Sequence, residues 1–131
     1  MTIRILSAAA LAAGLICAGA AQAADAPAAG DAAKGKVTFG QQCMLCHSVV
    51  AGQGGAGPSL AGVVGRKAGT GPGFPAYTKA LKSSAVVWTP ATLDQFLSGP
   101  AKMIPGTSMP ISVTQPEMRK NIVAYLATLK K

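Results

Sequence analysis

Acidic side chains are scarce in this sequence: four of its 131 residues are Asp or Glu, against twelve Lys or Arg. Histidine occurs once, at His47, and aromatic residues number only six. Each shortage excludes something. With one histidine and three cysteines, a four-ligand structural zinc site has too few donors once any of the cysteines is committed elsewhere. A chain of this length holds one small domain, and six aromatics leave that domain with a limited apolar core of its own. No stretch shows the period-two alternation of a half-buried strand, which points to an all-α class. The basic excess, +8 at pH 7, is compatible with acidic partners and equally with a role in solubility alone. No nucleic-acid partner is expected.

Long hydrophobic runs are missing except at the start. Met1-Thr2-Ile3-Arg4 is a short basic opening, Ile5 to Ala21 is uncharged and almost wholly apolar, and Ala21-Gln22-Ala23 supplies small residues around a cleavage point. This is the pattern of a secretory signal peptide, assigned to residues 1–23. The run falls short of the ~20 apolar residues of a spanning helix, so no stable membrane insertion is expected after its removal. Removal takes Cys17 and a single charge, Arg4, leaving eleven basic and four acidic residues and a net charge of +7. Export implies a periplasmic protein. Residues 24–30 are rich in Ala, Pro and Gly and read as a flexible leader before a domain spanning 31–131.

Two cysteines remain, Cys43 and Cys46. A bridge between them would close a tiny loop and constrain little of the unfolded chain, so a disulfide framework is a poor explanation. They belong to Cys43-Met44-Leu45-Cys46-His47, the C-x-x-C-H pattern of covalent haem attachment. Two thiols at this spacing can meet the two vinyl groups of one porphyrin, and the next residue then offers an imidazole to the iron. A thioredoxin-like redox pair would require a βαβ context that the sequence lacks. The sixth iron position needs a donor. A thioether there suits electron transfer, whereas an open site suits ligand chemistry. Met44 sits between the attachment cysteines and Met118 falls on a helix stripe. Met103 and Met109, both in an irregular stretch, remain as candidates. A haem peroxidase or gas sensor is disfavoured because no second histidine exists to assist peroxide cleavage.

Local signals divide the chain into short helices and long loops. Asp31 can cap a helix that runs to about Gln42, with Gly35, Phe39 and Cys43 on one face. Glycine dominates from Val49 to Gly73, with a short helical turn expected at Leu60–Val64 and a helix at Tyr77–Ser83. Thr89-Pro90 opens a helix carrying Leu93, Phe96 and Leu97, and Ser98-Gly99-Pro100 ends it. Thr114 and Glu117 have capping-box spacing before a final helix with Met118, Ile122, Tyr125, Leu126 and Leu129 as its apolar stripe. Loops this long in a compact domain need something to pack against.

From Asp31 to Lys130 the sequence resembles the class I c-type cytochromes, the small soluble monohaem group. The likeness rests on Gly35 and Phe39 before the attachment motif, then Gly57-Pro58-Ser59-Leu60, Gly65-Arg66-Lys67, and Tyr77-Thr78 ahead of Trp88. It continues through Pro105-Gly106-Thr107-Ser108-Met109 to Ala124-Tyr125-Leu126. The resemblance implies the cytochrome c fold: short helices and long loops around one haem c bound through Cys43 and Cys46. It makes His47 and Met109 the iron ligands. Pro58 would accept a hydrogen bond from His47; Arg66, Tyr77 and Trp88 would serve the haem propionates; Thr107 would brace the Met109 loop. Gly35 would let the helix of Tyr125 cross closely.

The implied function is one-electron transfer as a monomeric carrier, not enzyme catalysis. Exported or membrane-bound redox proteins with acidic docking surfaces would be its partners. The alternative is a haem subunit of a larger dehydrogenase or oxidase complex. Phe96 departs from the family pattern, standing where a tyrosine often approaches the axial sulfur. Ser108 and Gln42 stand where well-known relatives carry lysines.

Overall fold

The computed structural model describes residues 30–131. The expected signal peptide at 1–23, and nearly all of the leader at 24–30, lie outside them. The described residues form five helices: α1 (Ala32–Gln42), α2 (Lys79–Ser83), α3 (Pro90–Ser98), α4 (Pro100–Met103) and α5 (Pro116–Thr128). Among these residues the only strand-like pairing is an isolated bridge between Lys67 and Val87. No helix among them is long and apolar enough to cross a membrane.

α1 begins directly after Asp31, whose backbone is extended. Its carboxylate accepts hydrogen bonds from the amides of Ala33 and Lys34. These bonds, the one from Lys34 foremost, hold its pKa below the ordinary carboxylate value. The Asp31 amide in turn donates to Oδ1 of Asn121 on α5 at 2.7 Å. Along α1, Gly35 and Phe39 are buried, and α1 packs principally on α5. Gly35 is the crossing point. A Cβ there would run into the backbone carbonyl of Asn121 and crowd the Cβ of Tyr125. Phe39 then meets Tyr125 in a tilted contact, ring centroids 5.3 Å apart and planes at 57°.

α3 shows the cap that Thr89-Pro90 predicts. Thr89 and Thr92 exchange hydrogen bonds in a capping box, and Pro90 takes the first turn. Leu93, Phe96 and Leu97 face the core, where α3 meets α5.

Three local expectations are corrected. Leu60–Val64 forms turns rather than a helix, since Gly62 and Gly65 take φ of 58° and 84° and break it. The Tyr77–Ser83 helix starts at Lys79 because Thr78 is extended and caps it, accepting from the Leu81 amide. The final helix is not capped by Thr114. Gln115 precedes Pro116, a position that disfavours helical backbone, so α5 starts at Pro116 with Gln115 as an uncapped boundary. In addition, the chain stops at Gly99 and at once turns again as α4, with Pro100 at its first position.

The α1–α5 crossing gives a direct test. Gly35→Ala should destabilise the protein by about 3 kcal/mol, lowering the thermal midpoint by roughly 12 to 24 °C, because the contact is with backbone that cannot move aside. The Asp31 cap adds a pH signature. Its carboxyl is depressed in the folded state, so the stabilisation is present above the unfolded carboxylate pKa and is lost as pH falls through the folded value. The difference in thermal midpoint between the wild type and Asp31→Ala should therefore shrink on acidification.

Candidate haem site

A cavity of about 410 Å³ opens into the middle of these helices. Its walls are Phe39, Leu60, Val63, Leu81, Leu93, Phe96, Leu97, Ile122 and Leu126, with Trp88 buried beside Phe96. The Trp88 and Phe96 rings lie 4.9 Å apart at 60°. Phe96 carries no hydroxyl, so it offers the cavity a wall and no hydrogen bond.

The attachment motif continues α1 as a tight turn. The amides of Cys43 and Met44 donate to the Phe39 carbonyl, and those of Cys46 and His47 to the Cys43 carbonyl. This coiling turns Cys43, Cys46 and His47 toward the cavity and leaves the two intervening side chains outside, Leu45 at 84% exposure. Burial pushes the Cys43 thiol up, with the neighbouring Cys46 adding to the effect. Redox-active cysteines of the C-x-x-C type run the other way, with a depressed pKa.

His47 is fixed by one bond and one wall. Its Nδ1 lies 2.8 Å from the carbonyl oxygen of Pro58. A carbonyl only accepts, so Nδ1 carries the proton, and in the neutral imidazole Nε2 keeps its lone pair. Behind the ring, Gly57 leaves no room for a Cβ, and its amide donates to the Cys46 carbonyl at 2.8 Å. The loop that orients the ring is therefore tied to the motif that carries it.

Arg66, Tyr77 and Gly71 meet at another part of the wall. Arg66 donates from Nη1 to the Ala61 carbonyl and from Nη2 to the Ser59 carbonyl, at 3.0 and 2.8 Å. Its buried Nε has no partner. No carboxylate pairs with it among the described residues. Burial draws the guanidinium below its ordinary pKa, partly offset by Tyr77. The Tyr77 hydroxyl accepts from the Gly71 amide at 3.1 Å. It keeps its own hydrogen to donate. A half-buried cation with an orphaned donor, on the wall of an apolar cavity, fits the acidic substituents of a haem.

Of the four methionines among the described residues, Met109 lines the cavity. Met103, Met109 and Met118 all pack against the core, but Met103 and Met118 do not line the cavity, and Met44 is largely exposed. The Met109 amide donates to Thr107 Oγ1 at 3.4 Å. The structure thus brings Cys43, Cys46, His47, Pro58, Arg66, Tyr77, Trp88, Thr107 and Met109 to one cavity. Thiols, imidazole, thioether and apolar walls together suit an iron porphyrin.

Sequence reasoning missed some of the supporting contacts. Asn121 is buried on α5, where a polar residue amid the apolar stripe was the available signal. The carbonyls of Ser59 and Ala61 that hold Arg66 give no signal in the sequence at all. Ser108 and Gln42 are exposed; Gln42 reaches the Met118 sulfur at 3.8 Å.

Comparisons with known proteins identify the family. The cytochrome c family model matches residues 32–130. Cytochrome c2 of Rhodopila globiformis is 44% identical over 102 residues, covering 77% of this chain and 95% of that protein. Cytochrome c of Euglena viridis is 43% identical over 102 residues, 77% of this chain and 99% of the other. Among solved structures, cytochrome cH from Methylobacterium extorquens superposes with a TM-score of 0.70 at 43% identity, covering 76% of this chain and 99% of that one. Cys43 and Cys46 stand at the attachment positions for covalent haem c, and the chain belongs to the cytochrome c family of electron carriers, which are not enzymes.

Proposed function

We propose that this chain is a periplasmic one-electron carrier whose haem iron is held between His47 and Met109. The observation that carries the reading is the fixed tautomer of His47: Nδ1 is committed to Pro58, and Nε2 is left as a donor on a cavity that Met109 also lines. The haem, when bound, supplies a one-electron couple. The protein residues do the rest. His47 and Met109 would hold the iron with the same two donors in both oxidation states, an arrangement suited to electron transfer. Phe39, Leu93, Phe96 and Ile122 exclude water from the site and lower the local dielectric. Arg66 and Tyr77 serve the acidic edge of the group with Nε–H and O–H donors, and Trp88 closes that side. Thr107 steadies the Met109 amide.

Export to the periplasm follows from the signal-peptide pattern of residues 1–23, with a domain beginning at 31. The partner class follows from charge. Asp31 and Asp94 are the only acidic residues between Ala26 and Pro116, whereas Lys36, Lys67, Lys79, Lys82 and Lys102 are all exposed along the same length. Such a surface suits transient docking, as a monomer, with exported or membrane-bound redox proteins that present acidic patches.

Two outcomes test the reading. Oxidised wild-type holoprotein should show the far-red thioether-to-iron charge-transfer band, and Met109→Ala should lose it while remaining folded. That variant should also have a lower reduction potential and bind carbon monoxide rapidly when reduced; an unchanged spectrum overturns Met109 ligation. Replacing Cys43 and Cys46 together by Ala should give colourless, largely unfolded protein, seen as lost helical circular dichroism.

A further inference from the structure

Arg119 is a cation in the wrong place for its helix. It sits in the first turn of α5, where the helix dipole disfavours positive charge, and its side chain is only 12% exposed. Its contacts lie elsewhere. Nε donates to Asp94 Oδ1 on α3 at 2.9 Å, and Nη1 donates to the carbonyls of Val113 and Thr114, each at 2.9 Å. One guanidinium therefore joins α5, α3 and the end of the loop that carries Met109.

That loop is held at two points. At its start, the Ile104 amide donates to the Pro100 carbonyl and the Thr107 amide to the Ile104 carbonyl. At its end, the amide of buried Val113 donates to the Leu97 carbonyl on α3, and Val113's own carbonyl is the one Arg119 grips. From Ser108 to Ser112 the backbone makes no hydrogen bond to another element; the Met109 amide reaches only its neighbour Thr107. The position of the Met109 sulfur therefore depends on the two anchors. Charge-assisted bonds from a mostly buried guanidinium, itself oriented by a carboxylate, make the second anchor a strong one.

We infer that Arg119, oriented by Asp94, is a positioning residue for Met109: it sets how often the methionine loop leaves the iron. The inference rests on Met109 being the axial ligand. Asp94 restrains the guanidinium, Arg119 pins Val113 and Thr114, and the pinned loop keeps the thioether in the cavity. Loss of this clamp raises the population of the open loop, the state through which an external ligand reaches the iron.

The test uses holoprotein throughout. Arg119→Met keeps the aliphatic stem and removes every donor; Asp94→Asn keeps an acceptor and removes the orienting charge. Val123→Ala, in the buried part of α5 away from the cavity, controls for lost stability. Carbon monoxide binding to the reduced protein should accelerate about tenfold in Arg119→Met and by a smaller factor in Asp94→Asn. Both should weaken the far-red band and speed hydrogen exchange of the Val113 amide. Val123→Ala should lower the thermal midpoint without changing the carbon monoxide rate. If the wild type has the band and both clamp variants bind carbon monoxide at the wild-type rate, or if Val123→Ala speeds it equally, the inference is overturned alone. If the wild type lacks the band, Met109 ligation fails and the inference falls with it. Should Arg119→Met not fold, the rate and band of Asp94→Asn decide the outcome.

Discussion

The side chains that form the hydrophobic core are largely the same ones that line the cavity. Phe39, Val63, Trp88, Leu93, Phe96, Leu97, Ile122 and Leu126 appear in both. Protein interiors are normally packed to crystal-like density, and apolar groups facing a void forfeit their dispersion contacts on that side. Around the cavity, these residues therefore find part of their partner surface only when a large flat apolar group lies between them. Cofactor binding and folding are coupled through one set of contacts. The covalent bonds at Cys43 and Cys46 make that coupling permanent. They also explain how so few aromatic residues and such long loops suffice.

The rest of the architecture serves to hold the faces of that group. α1 and α5 cross at Gly35, close enough for backbone to touch side chain, and this crossing places the attachment turn at one end of the cavity. The Gly57–Pro58 segment, tied back to Cys46, orients His47. Opposite in sequence, the Met109 loop hangs between α4 and α5 with fixed ends and a free middle. The regular elements are short and supply anchor points, and the irregular segments carry Pro58 and Met109 to the cavity.

Legibility in the sequence followed the range of the interaction. Asp31 and the Thr89-Pro90 pair announced α1 and α3 because a cap acts within one turn. Gly99-Pro100 could not separate an ending from a beginning, since the same residues stop α3 and start α4. Thr114 and Glu117 had the right spacing for a cap, but Pro116 between them governs the backbone of Gln115 and moved the start. For the site, the five-residue attachment motif was readable because its chemistry is contiguous. Loop context favoured Met109 over Met103 only weakly, and it was the resemblance of Pro105-Gly106-Thr107-Ser108-Met109 to the family pattern that chose between them. Both pack against the core, and only Met109 also lines the cavity, a distinction set by the tertiary path of the chain.

The contacts hardest to read are those made to main-chain carbonyls. Arg66 is held by the carbonyls of Ser59 and Ala61, and Arg119 by those of Val113 and Thr114. A carbonyl is present at every residue, so no side-chain pattern marks the ones that a distant guanidinium will reach. Yet the two arginines divide the labour around the haem site between them. Arg66 leaves a donor unspent on the cavity wall, which under the proposed function would serve the group itself. Arg119 is turned away from the cavity and commits Nε and Nη1 to protein, and so is fitted to the loop. In a chain with so few carboxylates, Asp94 is paired with the arginine that steadies the protein. The arginine on the cavity wall has none among the described residues, which leaves its charge available to the acidic edge of the haem.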